Sequence, residues 1–182
     1  MKITEEQVRK IMPKAPQKRL SEFVESFNKW CDIFNINTKL RAAHYIAQVA
    51  HETMELKYLE EISSGAAYDT GPKAVALGNT PEKDGDGQRY KGRGYLQTTG
   101  RRNYKRYADS EYCNGDLMSH PEWLAQQPGC QKASMFFWMS NGLNRWADAD
   151  DVRTVSKRIN GGYNGLDKRI KYWMKAKSAL GI

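Results

Sequence analysis

The sequence predicts a mainly α fold. Three observations carry that expectation. Apolar residues recur at intervals of three and four along most of the chain, residues suited to helix caps precede several of these runs, and proline or glycine closes them. Only residues 63–100 break the pattern.

Thr4 can cap a first helix over Glu5–Met12, which Pro13 ends. Leu20, Phe23, Val24, Phe27, Trp30, Cys31 and Phe34 form one broad apolar stripe on a second helix. Thr38 opens a third through Ala42, Ala43, Ile46, Val49 and Ala50, whose small side chains permit close packing, and this helix delivers His51 and Glu52 at its C-terminal end. Ser, Gly, Asp and Pro punctuate residues 63–100, leaving room for a short helix near Lys73–Leu77 and at most a small β-hairpin over Gln88–Gln97. A loop region of that length inside a compact domain is usually functional. Beyond it, Ser119-His120-Pro121-Glu122 has capping-box spacing. Cys130–Ser140, with Met135, Phe136, Phe137, Trp138 and Met139, is apolar nearly all round and reads as a buried central helix that Gly142 can stop. Asp150 or Asp151 opens a helix carrying Val152, Val155 and Ile159, and a last helix runs from about Leu166 through Ile170, Trp173, Met174 and Leu180. With no linker, repeat or low-complexity tract, residues 1–182 are expected to form one domain.

The 40% hydrophobic and 27% charged content fits a globular chain and argues against disorder. No run of about 18 apolar residues could span a bilayer, and the N-terminus lacks the apolar run of a signal peptide. Three widely spaced cysteines argue against a disulfide framework and a four-ligand zinc site, and fit reduced thiols made in a cytosol. A net charge of +8 points toward polyanions, whether nucleic acid, anionic membrane or acidic cell-wall polymer. The cations concentrate at Arg101, Arg102, Lys105 and Arg106 and again at Lys168, Arg169 and Lys171, where a solvated face explains them equally well.

The chemistry concentrates in Lys91-Gly92-Arg93-Gly94-Tyr95-Leu96-Gln97-Thr98-Thr99-Gly100-Arg101-Arg102-Asn103-Tyr104. A core does not need such a mixture, whereas a cleft for an oxygen-rich ligand does. Gly92 and Gly94 allow the backbone to approach a ligand, and Gln97, Thr98, Thr99 and Asn103 supply the neutral donors and acceptors that sugar hydroxyl and acetamido groups require. Glycoside hydrolysis needs two carboxyl groups flanking the scissile bond, and Glu52 and Glu61 are candidates. On one continuous helix their separation would turn the side chains through roughly 900°, onto opposite faces about 13.5 Å apart along the axis. The helix must therefore end soon after Glu52 if both act.

Other chemistries fit less well. A zinc protease needs His at position 55, where Glu55 stands. Asp84-Gly85-Asp86-Gly87 falls short of a calcium loop and reads as a turn. His44 and His120 suit packing or capping, while His51 either orients Glu52 or packs. No metal or cofactor is expected. A basic helical nucleic-acid-binding module explains the charge but neither the carboxylates nor the Gln-Thr-Thr string, and a sugar-binding protein without catalysis has no need of the carboxylates.

His51-Glu52-Thr53, the string from Gly92-Arg93-Gly94 through Gln97-Thr98-Thr99-Gly100-Arg101 to Asn103-Tyr104, and Asn160-Gly161-Gly162 resemble the pattern of glycoside hydrolase family 19. The likeness is to the phage and bacterial branch, chitinase-like endolysins that degrade peptidoglycan, and it extends from Ile3 to about Arg169. The resemblance implies a lysozyme-like single domain with a long glycine-rich active-site loop region, no separate cell-wall-binding domain and an inverting single displacement. It makes Glu52 the general acid, Glu61 the general base and Thr99 the residue orienting the water. Gln97, Asn103, Tyr104 and Asn160 match substrate-contacting positions, Arg169 matches a basic position near the site, and Tyr90 stands where it would line the sugar groove. Two departures stand out. The family often has Gly-Gly after His-Glu-Thr, where this chain has Met54-Glu55, so the helix-ending signal is missing locally and Glu60 competes with Glu61 as the base. An acidic residue often found after the later Gly-Gly is Asn164 here.

The implied partner is the peptidoglycan glycan strand, with chitin as the alternative substrate and with either β-1,4 linkage open to cleavage. A monomer is expected, with no nucleic-acid partner and no stable membrane insertion. It would wait in the host bacterial cytoplasm and reach the wall in the periplasm through a hole made by a separate holin.

Overall fold

The computed structural model describes residues 1–182. It has ten α-helices: α1 (Glu5–Ile11), α2 (Gln17–Trp30), α3 (Lys39–Glu52), α4 (Gly71–Leu77), α5 (Asp86–Arg89), α6 (Arg101–Ala108), α7 (Gly129–Ser140), α8 (Asn144–Asp148), α9 (Val152–Asn160) and α10 (Leu166–Leu180). Short 3-10 helices lie at Ala66–Tyr68 and Pro121–Ala125. The chain falls into two compact units, Met1–Lys57 with Trp138–Ile182, and Tyr58–Phe137. No helix is long and apolar enough to cross a membrane.

In the first unit the caps form where the sequence places them. The Thr4 hydroxyl accepts the Gln7 amide while the Gln7 side chain accepts the Thr4 amide, closing a capping box on α1. Thr38 caps α3 through the Arg41 amide, and Asp151, rather than Asp150, caps α9 through Thr154. α2 buries Leu20, Phe23, Val24 and Phe27. Residues Ala42 to Ala50 of α3 are all buried, and α10 packs along α3 and against α1. Small residues on α3 make that close approach possible. One expectation shifts: Met174 is 60% exposed, and the buried residues of α10 are Arg169, Ala176 and Leu180. A buried arginine on a helix face makes a polar site within the core. The short α8 has no counterpart among the helices expected from the sequence.

The turn after α3 sets the direction of the chain beyond Glu52. Met54, Glu55 and Leu56 have φ of 49°, 60° and 63°, three successive non-glycine residues in the left-handed region. Such a backbone costs roughly 1–2 kcal/mol per residue. Local bonds hold it there. The Thr53 hydroxyl donates to the Val49 carbonyl and accepts the Leu56 amide, both at 2.7 Å, and the Glu55 amide donates to the Ala50 carbonyl at 2.8 Å. The buried Glu55 carboxylate accepts the Lys14 amide (2.6 Å) and the Tyr172 hydroxyl (2.9 Å), and Arg19 donates to the carbonyls of Leu56 and Lys57. Leu56 is fully buried, which is worth about 1.5–3 kcal/mol. The helix-ending signal missing from the sequence as glycine is supplied by this tertiary anchoring.

The second unit is mostly irregular, built on α4, α5, α6 and the first part of α7. Tyr90, Tyr104, Tyr107, Leu117, Leu124 and Ala133 form its core, with Phe136 packed against it. No residue of α7 is exposed, as its all-round apolar pattern predicts, and Gly142 (φ 64°) follows it. The hairpin expected over Gln88–Gln97 contracts to a single antiparallel pair, Arg93 with Thr98, beside a second bridge from Arg93 to Glu60. Gln88 and Arg89 belong to α5 instead, and positive φ at Gly94 (83°) and Gln97 (53°) turns the chain too tightly for a longer ladder. The capping box expected at Ser119–Glu122 does not form. The Ser119 amide bonds the Asp116 carboxylate, and Pro121 starts the 3-10 turn with His120 at the cap position. All three cysteines are free.

Glu55→Ala should lower folding stability by about 1–3 kcal/mol, because it removes a buried carboxylate that accepts the half-buried Lys14 amide and Tyr172 hydroxyl, whereas Met54→Gly, at an exposed left-handed position, should leave stability unchanged or raise it by up to about 1 kcal/mol. Urea denaturation of the two variants reads both signs.

Candidate active site

In the first unit, α3 ends on Glu52, and a buried polar relay fixes its side chain. Arg169 of α10, 1% exposed, donates to Glu52 Oε1 at 2.5 Å and to Gln48 Oε1 at 2.6 Å. The Gln48 amide donates to the Ser156 hydroxyl (3.2 Å), which donates to the Val152 carbonyl (2.7 Å) on α9. Gln48 and Glu52 lie four residues apart, so one face of α3 presents both to the guanidinium fork. Glu52 Oε2 keeps no hydrogen bond to the protein, and the side chain is 19% exposed. One oxygen is clamped and the other is available to a ligand.

His51 packs rather than bonding Glu52. A Cβ on Gly165 (φ 70°) would lie 2.4 Å from its ring, so the segment leading into α10 runs directly against the imidazole. Burial first, then the charges of Arg169 and Lys168, lower the His51 pKa to about 4 and keep the ring neutral at neutral pH. Asn160 ends α9 as an exposed residue, followed by Gly161 at φ 76°. Asn164 is exposed as well.

In the second unit, Gly92 is the point on which the polar string converges. A Cβ there would meet Gln97 Oε1 at 2.8 Å, Thr99 Oγ1 at 3.2 Å and Glu61 Oε2 at 3.3 Å. Three oxygen-bearing side chains thus face one bare Cα. Each is oriented. Glu61 Oε1 accepts the Tyr68 hydroxyl (2.9 Å), and Oε2 accepts the Gly92 amide (3.2 Å). The Gln97 side-chain amide donates to the Gly94 carbonyl, the Thr99 hydroxyl to the Gln97 carbonyl, and the Asn103 side chain to the Thr99 carbonyl. Burial, and next the Glu61 carboxylate, push the Tyr68 phenol above its ordinary pKa and keep it a donor.

Glu60 turns elsewhere. Its carboxylate pairs with Lys91 (2.9 Å) and Arg93 (3.2 Å). Burial raises its pKa, but Lys91 and Arg93 together outweigh that and hold it below the usual carboxylate value. The bridge between Glu60 and Arg93 explains the sorting, since neighbours on an extended backbone point to opposite sides. Tyr90 and Tyr104, expected as sugar contacts, lie in the core at 4% and 0% exposure, with ring centroids 5.3 Å apart. The Tyr104 hydroxyl donates to the Lys91 carbonyl and accepts from Arg93, bracing the loop from behind. Burial drives its pKa well up. Asp84 accepts the Thr80 hydroxyl, and Asp86 pairs with Arg101, so that acidic turn is used internally. His44 is buried between Asp150 and Trp173, and His120 stacks on Trp123.

A glycosyl hydrolase family 19 domain-containing protein of Haemophilus influenzae is 30% identical over 162 residues, spanning 74% of this chain and 78% of that protein. The chain belongs to glycosyl hydrolase family 19. It is a glycoside hydrolase. Chitinase 5 of rice is 32% identical over 111 residues, which cover 60% of this chain and 36% of the rice protein. Among solved structures, chitinase C from Streptomyces griseus aligns with a TM-score of 0.75 at 20% identity over 98% of this chain and 92% of its own. The class IV family 19 chitinase of Zea mays gives 0.73 at 23% identity over 99% and 93%. These likenesses establish a shared, mainly α fold. No family model matches the chain.

Two residues that orient the candidate carboxylates, one in each unit, escaped the sequence. Tyr68, seven positions after Glu61, sits in a Gly-Ala-Ala-Tyr segment with no pattern to mark it. Gln48 lies one helical turn before Glu52, a spacing that could have named it once Glu52 was chosen.

Gly92→Ala should cut turnover by about 10²-fold, because the added methyl must push apart the Glu61, Gln97 and Thr99 oxygens, while circular dichroism stays unchanged. His51 has a folded pKa below its ordinary value, so the unfolded chain binds its proton first. Its contribution to stability is full above about pH 6.5 and is lost as pH falls toward about 4. Denaturation of His51→Gln should show a shallower stability loss than the parent across that window.

Proposed function

We propose that the chain is an endolysin that hydrolyses β-1,4 glycosidic bonds of the peptidoglycan glycan strand by an inverting acid/base mechanism. The convergence of Glu61, Thr99 and Gln97 on Gly92 carries this reading. Glu52 acts as the general acid: its unbonded Oε2 delivers a proton to the leaving glycosidic oxygen while Arg169 fixes the other oxygen. Glu61 acts as the general base. With Tyr68 and the Gly92 amide on its two oxygens, it still has lone pairs to accept a proton from water. The Thr99 hydroxyl hydrogen is committed to the Gln97 carbonyl, so its lone pairs are left to receive the second hydrogen of that water and aim it at the anomeric carbon. Gln97, Asn103 and Asn160 are the proposed sugar contacts.

Peptidoglycan is favoured over chitin by charge. The net charge of +8 suits a polymer bearing carboxylates, whereas chitin is uncharged. The similarity to chitinases from rice, Streptomyces griseus and Zea mays supports chitin as the second reading. Under the endolysin reading the enzyme accumulates in the host cytoplasm and reaches the wall once a holin has opened the membrane.

Glu52→Gln and Glu61→Gln should each lower hydrolysis of purified peptidoglycan by about 10²–10⁴-fold with the fold retained. Full activity in folded Glu61→Gln would remove it from the mechanism. Mass spectrometry of released reducing ends, run in parallel on peptidoglycan and chitin, tests the substrate: release from chitin alone would replace the first reading with the second.

A further inference from the structure

A cavity of about 320 Å³ opens in the second unit, and none of its lining residues belongs to the Gly92 cluster. Its floor is apolar, formed by Tyr107, Leu117 and Leu124, all at most 3% exposed. Asn114 and Gln126 stand at its solvent edge and carry primary amides. Trp123, 37% exposed, forms one wall. The indole is held before any ligand arrives. His120 stacks on it with centroids 4.7 Å apart and planes 12° apart, and Gly115 (φ 88°) comes so close that a Cβ would sit 2.8 Å from the ring.

An apolar floor, amides at the rim and a fixed aromatic wall together suit one chemical class. An N-acetylhexosamine has an acetamido methyl for the floor, an amide N–H and C=O for the Asn and Gln side chains, and apolar C–H groups for the exposed part of the indole. We propose that this cavity is a second, non-catalytic site that binds an N-acetylhexosamine unit of the glycan and tethers the enzyme to its polymer. The proposal rests on the assignment of a glycan substrate. Tethering raises the local concentration of insoluble substrate without touching the reacting bond.

The test is an amide NMR titration of the full chain with N-acetylglucosamine as the probe, on the parent protein, Trp123→Leu and Gln126→Ala. The expected result is shifts at Asn114, Gly115 and Gln126 as well as around Gly92. Affinity at the cavity should fall about tenfold in either variant, with hydrolysis of soluble oligosaccharide unchanged in Gln126→Ala and binding to insoluble polymer reduced. Gln126 lies at the exposed edge, so its variant keeps the test valid if Trp123→Leu does not fold. Shifts confined to the Gly92 region would overturn the tethering site and leave the glycan reading standing. Shifts nowhere would overturn the tethering site and count against the glycan reading too. Cavity shifts that persist undiminished in both variants would overturn the assigned wall and rim.

Discussion

The sharp stop after Glu52 is the constraint on which the rest of this chain depends. Were α3 to continue, the residues beyond it would be committed to a rod and Glu61 would lie on its far side. The stop is made by three side-chain-bearing residues in left-handed conformation. A conformation that local preference opposes persists because Glu55, Leu56 and the flanking carbonyls are each bound to a different neighbour: the Lys14 amide, the apolar core, Arg19 and Tyr172. Turn and unit therefore fold together. Loss of any one anchor would weaken the hold on the end of α3, where Glu52 is presented.

The two candidate carboxylates are held in place by opposite means. Glu52 is set by an added group, a buried guanidinium that also grips Gln48 and through it reaches α9. Glu61 is set by a missing one, since the oxygens around Gly92 can crowd together only where no Cβ stands. Gly165 repeats the second device against His51. These glycines act through the space they leave, and a buried arginine through the charge it brings in.

Much of this was legible in the sequence, for identifiable reasons. Helices with periodic apolar faces and side-chain caps, such as those opened by Thr4, Thr38 and Asp151, announce themselves because cap chemistry is local. The Gly92–Asn103 string was legible because its glycines, amides and hydroxyls exceed what a core needs, although Tyr95 and Leu96 within it are buried. The turn at Met54–Leu56 was not, since its stability comes from residues up to 117 positions away, and no glycine marks it. Tyr90 and Tyr104 show the converse difficulty. An aromatic residue beside a polar motif reads equally as ligand platform or as buttress, and only burial separates the two. Ser119 fell one residue out of step because Pro121 claims the first helical position and forces its predecessor to serve as cap.

The pairing of Glu60 with Arg93 has an evolutionary corollary. On an extended backbone, identity of side is a matter of parity, so the neighbour that meets the cations and the neighbour that meets the oxygens exchange places with any odd change of chain length just ahead of them. Lineages descended from this sequence can lengthen or shorten the connection between Thr53 and Glu60 only by steps that preserve that parity, or by loops that absorb the change before the bridge begins.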